Sequence, residues 1–258
     1  MDTIYGTPVR GIGEDKRCWL SNKSKGFMVS AYFHLLAWKC GRDNCGAIKV
    51  FMKLKMVSWN VRGLNDSQKC LVVRNLLREW QCDVVCLQET KLAGIDRQLV
   101  CSIWGCQYVD WVALDADQTT GGVLIIWDRR VLEKLEVLVG SFSVSVQWKG
   151  VEDGFSWACS GVYGPNDNNL RGVLWDELVG IQQYWNVPWC CFGDFNVVCF
   201  PSERRGGSRL TLAMENFFGF IEDLNLIDLP LEGGSYTWSS SIDQPSTSRI
   251  DRALVSQD

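Results

Sequence analysis

Cys82-Asp83-Val84-Val85-Cys86-Leu87-Gln88-Glu89-Thr90-Lys91 joins an almost unbroken apolar run to an abrupt polar end. A strand with one wet face alternates apolar and polar side chains; residues 82–87 do not, which suits a strand covered on both faces inside a layered sheet. Its polar end then falls at a rim of the sheet rather than on a solvated face. Upstream, residues 53–59 alternate like a strand, and Gly63-Leu64-Asn65-Asp66 supplies turn chemistry and a helix cap. A helix is predicted over 67–80, where Leu71, Val72, Leu76, Leu77 and Trp80 share one face and Lys69, Arg74 and Arg78 point to water. Downstream, the pattern predicts strands at 122–127, 144–148, 155–162, 189–192 and 249–255, and helices at 169–184 and 212–224. Helices interleave with strands while some strands follow one another directly, so the fold class is α/β, a mixed sheet covered by helices.

Outside this region the texture differs. Residues 1–52 keep no steady period and are expected to form a loosely structured extension. The whole chain, 258 residues with 47% hydrophobic and 22% charged residues, is long enough for a full core. Its net charge of -4 and pI near 5.2 exclude a histone-like protein held to nucleic acid by bulk charge, but not one with a local basic rim. The twelve cysteines sit in apolar runs such as Trp189-Cys190-Cys191-Phe192 and read as reduced core residues, not a disulfide scaffold. Cys40 and Cys45 lack a second ligand pair at suitable spacing, so no structural zinc is expected. Met1-Asp2-Thr3 does not open a secretion signal, and residues 27–38 are too short for the ~20 apolar residues of a membrane span. The expected location is intracellular, nucleus or cytoplasm, with no membrane partner.

Polar residues gather where strands end: Asn60, Gln88-Glu89-Thr90, Tyr163-Gly164-Pro165 and Gly193-Asp194-Phe195-Asn196. Ends of neighbouring strands converge on one rim, and Asn, Glu, Tyr and Asp there offer hard oxygen ligands for Mg²⁺ and hydrogen bonds for a phosphate. Singly, each has a plainer reading: Asn60 as a cap, Glu89 paired with Lys91, Tyr163 as a core ring. Asp194 and Asn196 are more specific, because residues two apart in an extended segment point the same way. Arg249-Ile250-Asp251-Arg252 by itself reads as a surface charge pattern on an edge strand.

Taken in order, Ser58-Trp59-Asn60-Val61-Arg62-Gly63-Leu64, Leu87-Gln88-Glu89-Thr90-Lys91, Thr120-Gly121-Gly122-Val123, Val162-Tyr163-Gly164-Pro165, Gly193-Asp194-Phe195-Asn196, Tyr236-Thr237-Trp238 and Ser248-Arg249-Ile250-Asp251-Arg252 carry a family resemblance. Residues 53–258 resemble the endonuclease/exonuclease/phosphatase superfamily, in the style of the apurinic-endonuclease-like domain of plant LINE-type retrotransposon polyproteins. The resemblance implies a DNase I-like, four-layered α/β sandwich of two packed mixed sheets. It also implies a phosphodiesterase site in which Glu89 and Asn60 hold Mg²⁺, with Mn²⁺ as an alternative, and Asp194 orients or deprotonates water. Asn196 and Tyr163 would hydrogen-bond the phosphoryl oxygens, Asp251 would orient a histidine, and Trp238 would pack beside the site.

One departure weighs on activity. The family closes with a Ser-Asp-His motif some tens of residues past the position of Asp251, which these residues do not include; the sole histidine, His34, precedes the first motif. The expectation is a domain incomplete at its C-terminus, lacking its last strand, with DNA as partner and weak or absent nuclease activity. An inactive remnant that binds nucleic acid or protein, and a phosphatase acting on a small phosphoester, are the alternatives.

Overall fold

The computed structural model describes residues 54–117, 121–231, 234–240 and 246–257, and before them the backbone of three strands: β1 (Ser21–Asn22), β2 (Phe27–Met28) and β3 (Ala31–Leu35). From residue 54 the elements are β4 (Leu54–Asn60), α1 (Ser67–Trp80), β5 (Val84–Gln88), α2 (Arg97–Trp104), β6 (Val109–Leu114), β7 (Val123–Asp128), β8 (Leu132–Val139), β9 (Ser143–Gly150), β10 (Ser156–Tyr163), α3 (Asn168–Trp185), β11 (Trp189–Asp194), α4 (Leu212–Asp223), β12 (Ile227–Asp228), β13 (Trp238–Ser239), β14 (Thr247–Ser248) and β15 (Asp251–Val255).

Two mixed sheets hold the architecture together. One runs β3-β4-β5-β7-β6 and the other β12-β15-β11-β10-β9-β8, with β4 parallel to β5 and β10 parallel to β11. Period-two alternation divides each strand between two environments. From β4, β5 and β7, Met56, Val84, Cys86, Ile125 and Trp127 face the second sheet and meet Val146, Trp148, Cys159, Cys190 and Phe192 in a central core. The opposite faces are covered by helices. Val57, Trp59, Val85 and Leu87 pack under α1 and α2, while Ala158, Cys191 and Leu254 pack under α3 and α4 with Trp175, Phe217 and Phe220. The result is the expected four-layer sandwich, and β5, buried at all five positions, is the doubly covered strand its composition demanded.

The two sheets approach tightly at Gly161. A methyl there would sit 2.5 Å from Cys86 Sγ, so only glycine admits this approach. Tilted and edge-on indoles fill the core nearby, with ring centroids 5.4 Å apart for Trp127–Trp148 and 4.9 Å for Trp148–Trp157. The nine described cysteines are free thiols, and burial pushes Cys86 and Cys190 up to about 12, making them inert packing groups.

Helix α1 has the predicted span. Asp66 caps it by accepting from the Gln68 amide at 2.9 Å, and Gln81 closes it in a left-handed conformation at φ 53. Besides the short strands β1, β2, β12 and β13 and the strand β3 in the extension, three longer elements escaped the sequence reading. Helix α2 has only eight residues. Strand β6 is an edge strand with mostly half-buried side chains. Strand β8 is also an edge, with a register shift between Lys134 and Glu136, so its Leu-Glu-Lys-Leu-Glu pattern never alternates cleanly. Within the extension 1–52, β3 pairs antiparallel with β4 and covers the edge beyond it. His34 stands opposite Lys55, so its backbone lies about 17 Å along β4 from Asn60 at ~3.3 Å per residue. Cys40, Cys45 and most of the loop 240–246 lie outside the described residues. No described helix is long and apolar enough to cross a membrane.

The reading of residues 249–252 as a surface pattern on an edge strand is corrected. Strand β15 lies between β11 and β12, and Arg252 is fully buried in a cluster with Arg249, Glu203 and Asp228. Arg249 reaches Asp228 at 2.8 Å, and Arg252 pairs with both acids. A buried cation needs such partners, because its desolvation otherwise outweighs any gain.

Candidate active site

The inward-facing registers of β4, β10, β11 and β15 continue past the end of the central core and deliver Asn60, Tyr163, Asp194 and Asp251 to one mouth between the sheets. Asp194 and Asp251 stand directly opposite each other across the β11–β15 pair. Glu89 arrives differently. Alternation would put it beside Leu87 on the helix-covered face, but a left-handed turn at φ 51 swings it back to the mouth. A non-glycine residue held there carries strain of order 1–3 kcal/mol, a pattern concentrated at functional sites. Asn196 is held likewise at φ 53.

These side chains close into a ring. The Asn60 amide donates to Glu89 Oε1 at 2.8 Å and to Asp194 Oδ2 at 3.2 Å. The Tyr163 hydroxyl donates to the same Glu89 oxygen at 3.0 Å. The Asn196 backbone N–H completes the circuit to Asp194 Oδ1 at 2.9 Å, while its amide donates to the Gly164 carbonyl at 2.7 Å. Five of the six residues expected at a site therefore meet through direct hydrogen bonds, and the sixth, Asp251, enters by register. Its backbone N–H donates to Thr237 Oγ1 at 3.0 Å, as the Ile250 N–H does at 2.9 Å.

Electrostatics set the ring apart from ordinary surface polar groups. Burial raises the Asp194 carboxyl to about 6 against the hydrogen bonds from Asn196 and Asn60, and the nearby Glu89 charge adds to the rise. Desolvation and the Glu89 carboxylate likewise push Tyr163 well above its usual range, so it remains a neutral donor. Two carboxylates share one amide group, a concentration of negative charge that a divalent cation relieves. Among the described residues no three His, Cys, Asp or Glu side chains converge. That donor set, oxygen-rich and sparse, fits Mg²⁺, which takes one or two carboxylates and keeps several waters. As oriented, Asn60 offers nitrogen to the carboxylates and its Oδ1 accepts from the Arg62 N–H at 3.1 Å, so joining a cation requires its amide to turn.

Three contributors escaped the sequence reading as site residues. Thr237 lies in a quoted motif, but nothing local shows that its hydroxyl receives two amides from β15. Arg171 donates to the Asn196 carbonyl at 2.8 Å from the first turns of α3, and Glu203 receives the Arg249 and Arg252 cations. Only the fold brings these pairs together.

The sequence profile of the Endonuclease/Exonuclease/phosphatase family matches residues 57–258. The chain belongs to this family, whose members are generally hydrolytic nucleases and phosphatases. No curated protein sequence matches it. Among solved structures, the endonuclease domain of TRAS1, a telomere-specific non-LTR retrotransposon, superposes with a TM-score of 0.61 at 12% identity, over 79% of this chain and 85% of that one. The AP endonuclease LMAP from Leishmania major gives 0.61 at 18% identity, over 79% of each chain. A mannosyl-6-phosphatase from Bacteroides thetaiotaomicron gives 0.53 at 15%, over 79% and 85%. At these identities the likeness is one of fold, and the fold is shared by nuclease and phosphatase alike.

Proposed function

We propose that the chain is a retrotransposon-type endonuclease domain of the LINE class that cleaves DNA phosphodiester bonds with Mg²⁺. The observation that carries this reading is the closed ring joining Asn60, Glu89, Tyr163, Asn196 and Asp194. Glu89 and Asn60 would hold the metal, which supplies charge neutralisation at the phosphate and leaving oxygen. Asp194, raised toward neutrality, is suited to accept a proton from water. Tyr163, once Glu89 turns to the metal and releases its hydroxyl, and Asn196, through its second amide hydrogen, would hydrogen-bond the phosphoryl oxygens as charge grows there, and Asp251 stands beside Asp194 to orient a further group.

Within these residues the only histidine, His34, pairs with the far end of β4, so no imidazole reaches the ring. Absence of such a group typically costs at least ~10²-fold in rate, so the chain by itself is expected to cleave slowly or not at all. This observation also favours a second reading, an inactive remnant that binds nucleic acid or protein through the same mouth. Nicking of supercoiled plasmid with Mg²⁺, compared between the chain and Asp194→Ala, separates the two. Activity lost on substitution supports the enzyme; no activity in either protein supports the remnant, and equal activity in both reveals a contaminant and refutes the enzyme reading. Release of phosphate from a small phosphomonoester without nicking would instead favour a phosphatase.

A further inference from the structure

Tyr163 ends β10 and Asn196 follows β11, and α3 grips the chain beside each of them through a charged side chain outside the ring. Leu174, Trp175, Leu178 and Ile181 form the buried stripe of this helix, packed with Ala158, Val162 and Cys191 of the second sheet. At about 100° per residue, Arg171 and Glu177 fall on opposite flanks of that stripe. Trp175, within it, stacks on Phe195 between Asp194 and Asn196, with ring centroids 6.3 Å apart. The helix is thus fixed to the same two strands that carry the site.

Arg171 acts on the Asn196 side. Its guanidinium donates to the Asn196 carbonyl at 2.8 Å and, in the segment after Tyr163, to the Asn166 carbonyl at 3.4 Å and the Asn168 side-chain oxygen. The loop after β10 is thereby tied to the loop after β11. Asn196 is held in the left-handed region with its N–H, carbonyl and side-chain amide all engaged, by Asp194, Arg171 and Gly164. Burial holds the Arg171 guanidinium below its usual range against the pull of Asp167. Placing a half-buried cation among neutral carbonyls costs stability that a packing residue would not.

Glu177 acts on the Tyr163 side. Its carboxylate accepts from the Ser141 N–H at 2.7 Å, the Phe142 N–H at 3.4 Å and the Ser143 hydroxyl at 2.5 Å, which fastens the turn between β8 and β9. The Phe142 carbonyl of that turn accepts from the Tyr163 N–H at 3.0 Å. Gly140 makes room for the carboxylate, since a methyl there would lie 2.0 Å from Glu177 Oε1.

We propose that Arg171 and Glu177 are positioning residues that set the distance between the Tyr163 hydroxyl and the Asn196 amide, and with it the span over which a phosphoryl group is held. What is held follows from the nuclease reading; how it is held follows from α3 alone. Charge-assisted bonds suit the task, being about twice as strong as neutral ones, and most of these end on backbone groups, so they fix the chain itself.

Amide hydrogen exchange read by NMR in EDTA, and nicking of a labelled duplex with Mg²⁺, test this on the intact chain, Arg171→Met, Glu177→Gln, Gly140→Ala and, as control, Glu152→Gln on an exposed turn. Gly140→Ala keeps Glu177 but displaces its carboxylate, so it must reproduce Glu177→Gln. Exchange is expected to quicken about 10-fold at Tyr163 in those two variants and about 10-fold at Asn196 in Arg171→Met. Amides in the middle of β10 and β11 keep their rates, as does the control throughout. Nicking by the three variants is expected to show kcat about 10- to 100-fold lower with KM nearly unchanged, because a shift of ~1 Å is felt by the reacting group more than by the bound duplex. Unchanged exchange at Tyr163 and Asn196, uniform quickening along both strands, or nicking by the variants at the intact rate overturns the positioning. Local quickening without nicking by the intact chain keeps the positioning and removes the nuclease reading.

Discussion

Asp194→Asn tests the electrostatics of the ring without removing its shape. The carboxyl rises from 3.8 to about 6 in the folded protein, so keeping it ionised costs about 3 kcal/mol of stability at 1.36 kcal/mol per unit. A carboxyl raised by folding contributes stability that is fully present below its unfolded value and lost as pH climbs through the folded one. The intact chain therefore loses stability between about pH 4 and 6, and the amide does not. Asparagine can still accept from the Asn196 N–H, but its NH₂ meets the Asn60 amide, which costs about 1 kcal/mol until that amide turns. A net gain of about 2 kcal/mol remains, worth roughly 4–8 °C in Tm for a domain of this size. Urea and thermal unfolding in EDTA at about pH 8 and pH 4 measure it, with plasmid nicking in parallel. The variant should be the more stable at the higher pH, equal or weaker at the lower, and unable to nick. A variant less stable than the intact chain near pH 8, or a difference that does not change with pH, refutes the reasoning.

Glu89→Gln removes the like charge facing Asp194, so the Asp194 carboxyl falls and the stabilisation by Asp194→Asn shrinks in that background; calorimetric titration should also show Mg²⁺ affinity reduced at least ~10-fold. Gly164→Ala forces a methyl to 2.4 Å from the Phe195 carbonyl, between two of the site residues; unfolding should register a loss of roughly 1–3 kcal/mol, together with loss of any nicking. Arg252→Leu leaves the half-buried Glu203 and Asp228 with Arg249 as their remaining cation, and a loss of about 3 kcal/mol is expected in denaturant titration, whereas a neutral result would mean the cluster is solvated.

The parts of the fold that could be read from sequence are those whose burial is uniform along the element. Val84 to Leu87 is apolar because both faces are covered; the span of α1 was equally legible, but its buried stripe is Cys70, Val73, Leu77 and Trp80, and Leu71, expected on that face, is exposed. Strand β8 was illegible because an edge with a register shift leaves no periodic trace, and α2 because eight residues hold too few turns. Site residues were legible where a polar group ended an apolar strand, as at Asn60, Glu89 and Asp194. Thr237, Arg171 and Glu203 were not, because their work is done through backbone groups or ions more than ten residues distant. Arg252 misled for the opposite reason: a guanidinium looks like surface until the two half-buried acids that hold it inside are seen.

The ring has a consequence for how the protein matures. Its hydrogen bonds join residues 74 and 134 positions apart, so no nascent fragment shorter than residues 60–196 contains a finished circuit. Distant pairings of this kind form late, after helices and local hairpins. Forms in which β11 has not yet joined its sheet consequently lack the assembled acid pair, and whatever chemistry that pair performs waits until both sheets have come together.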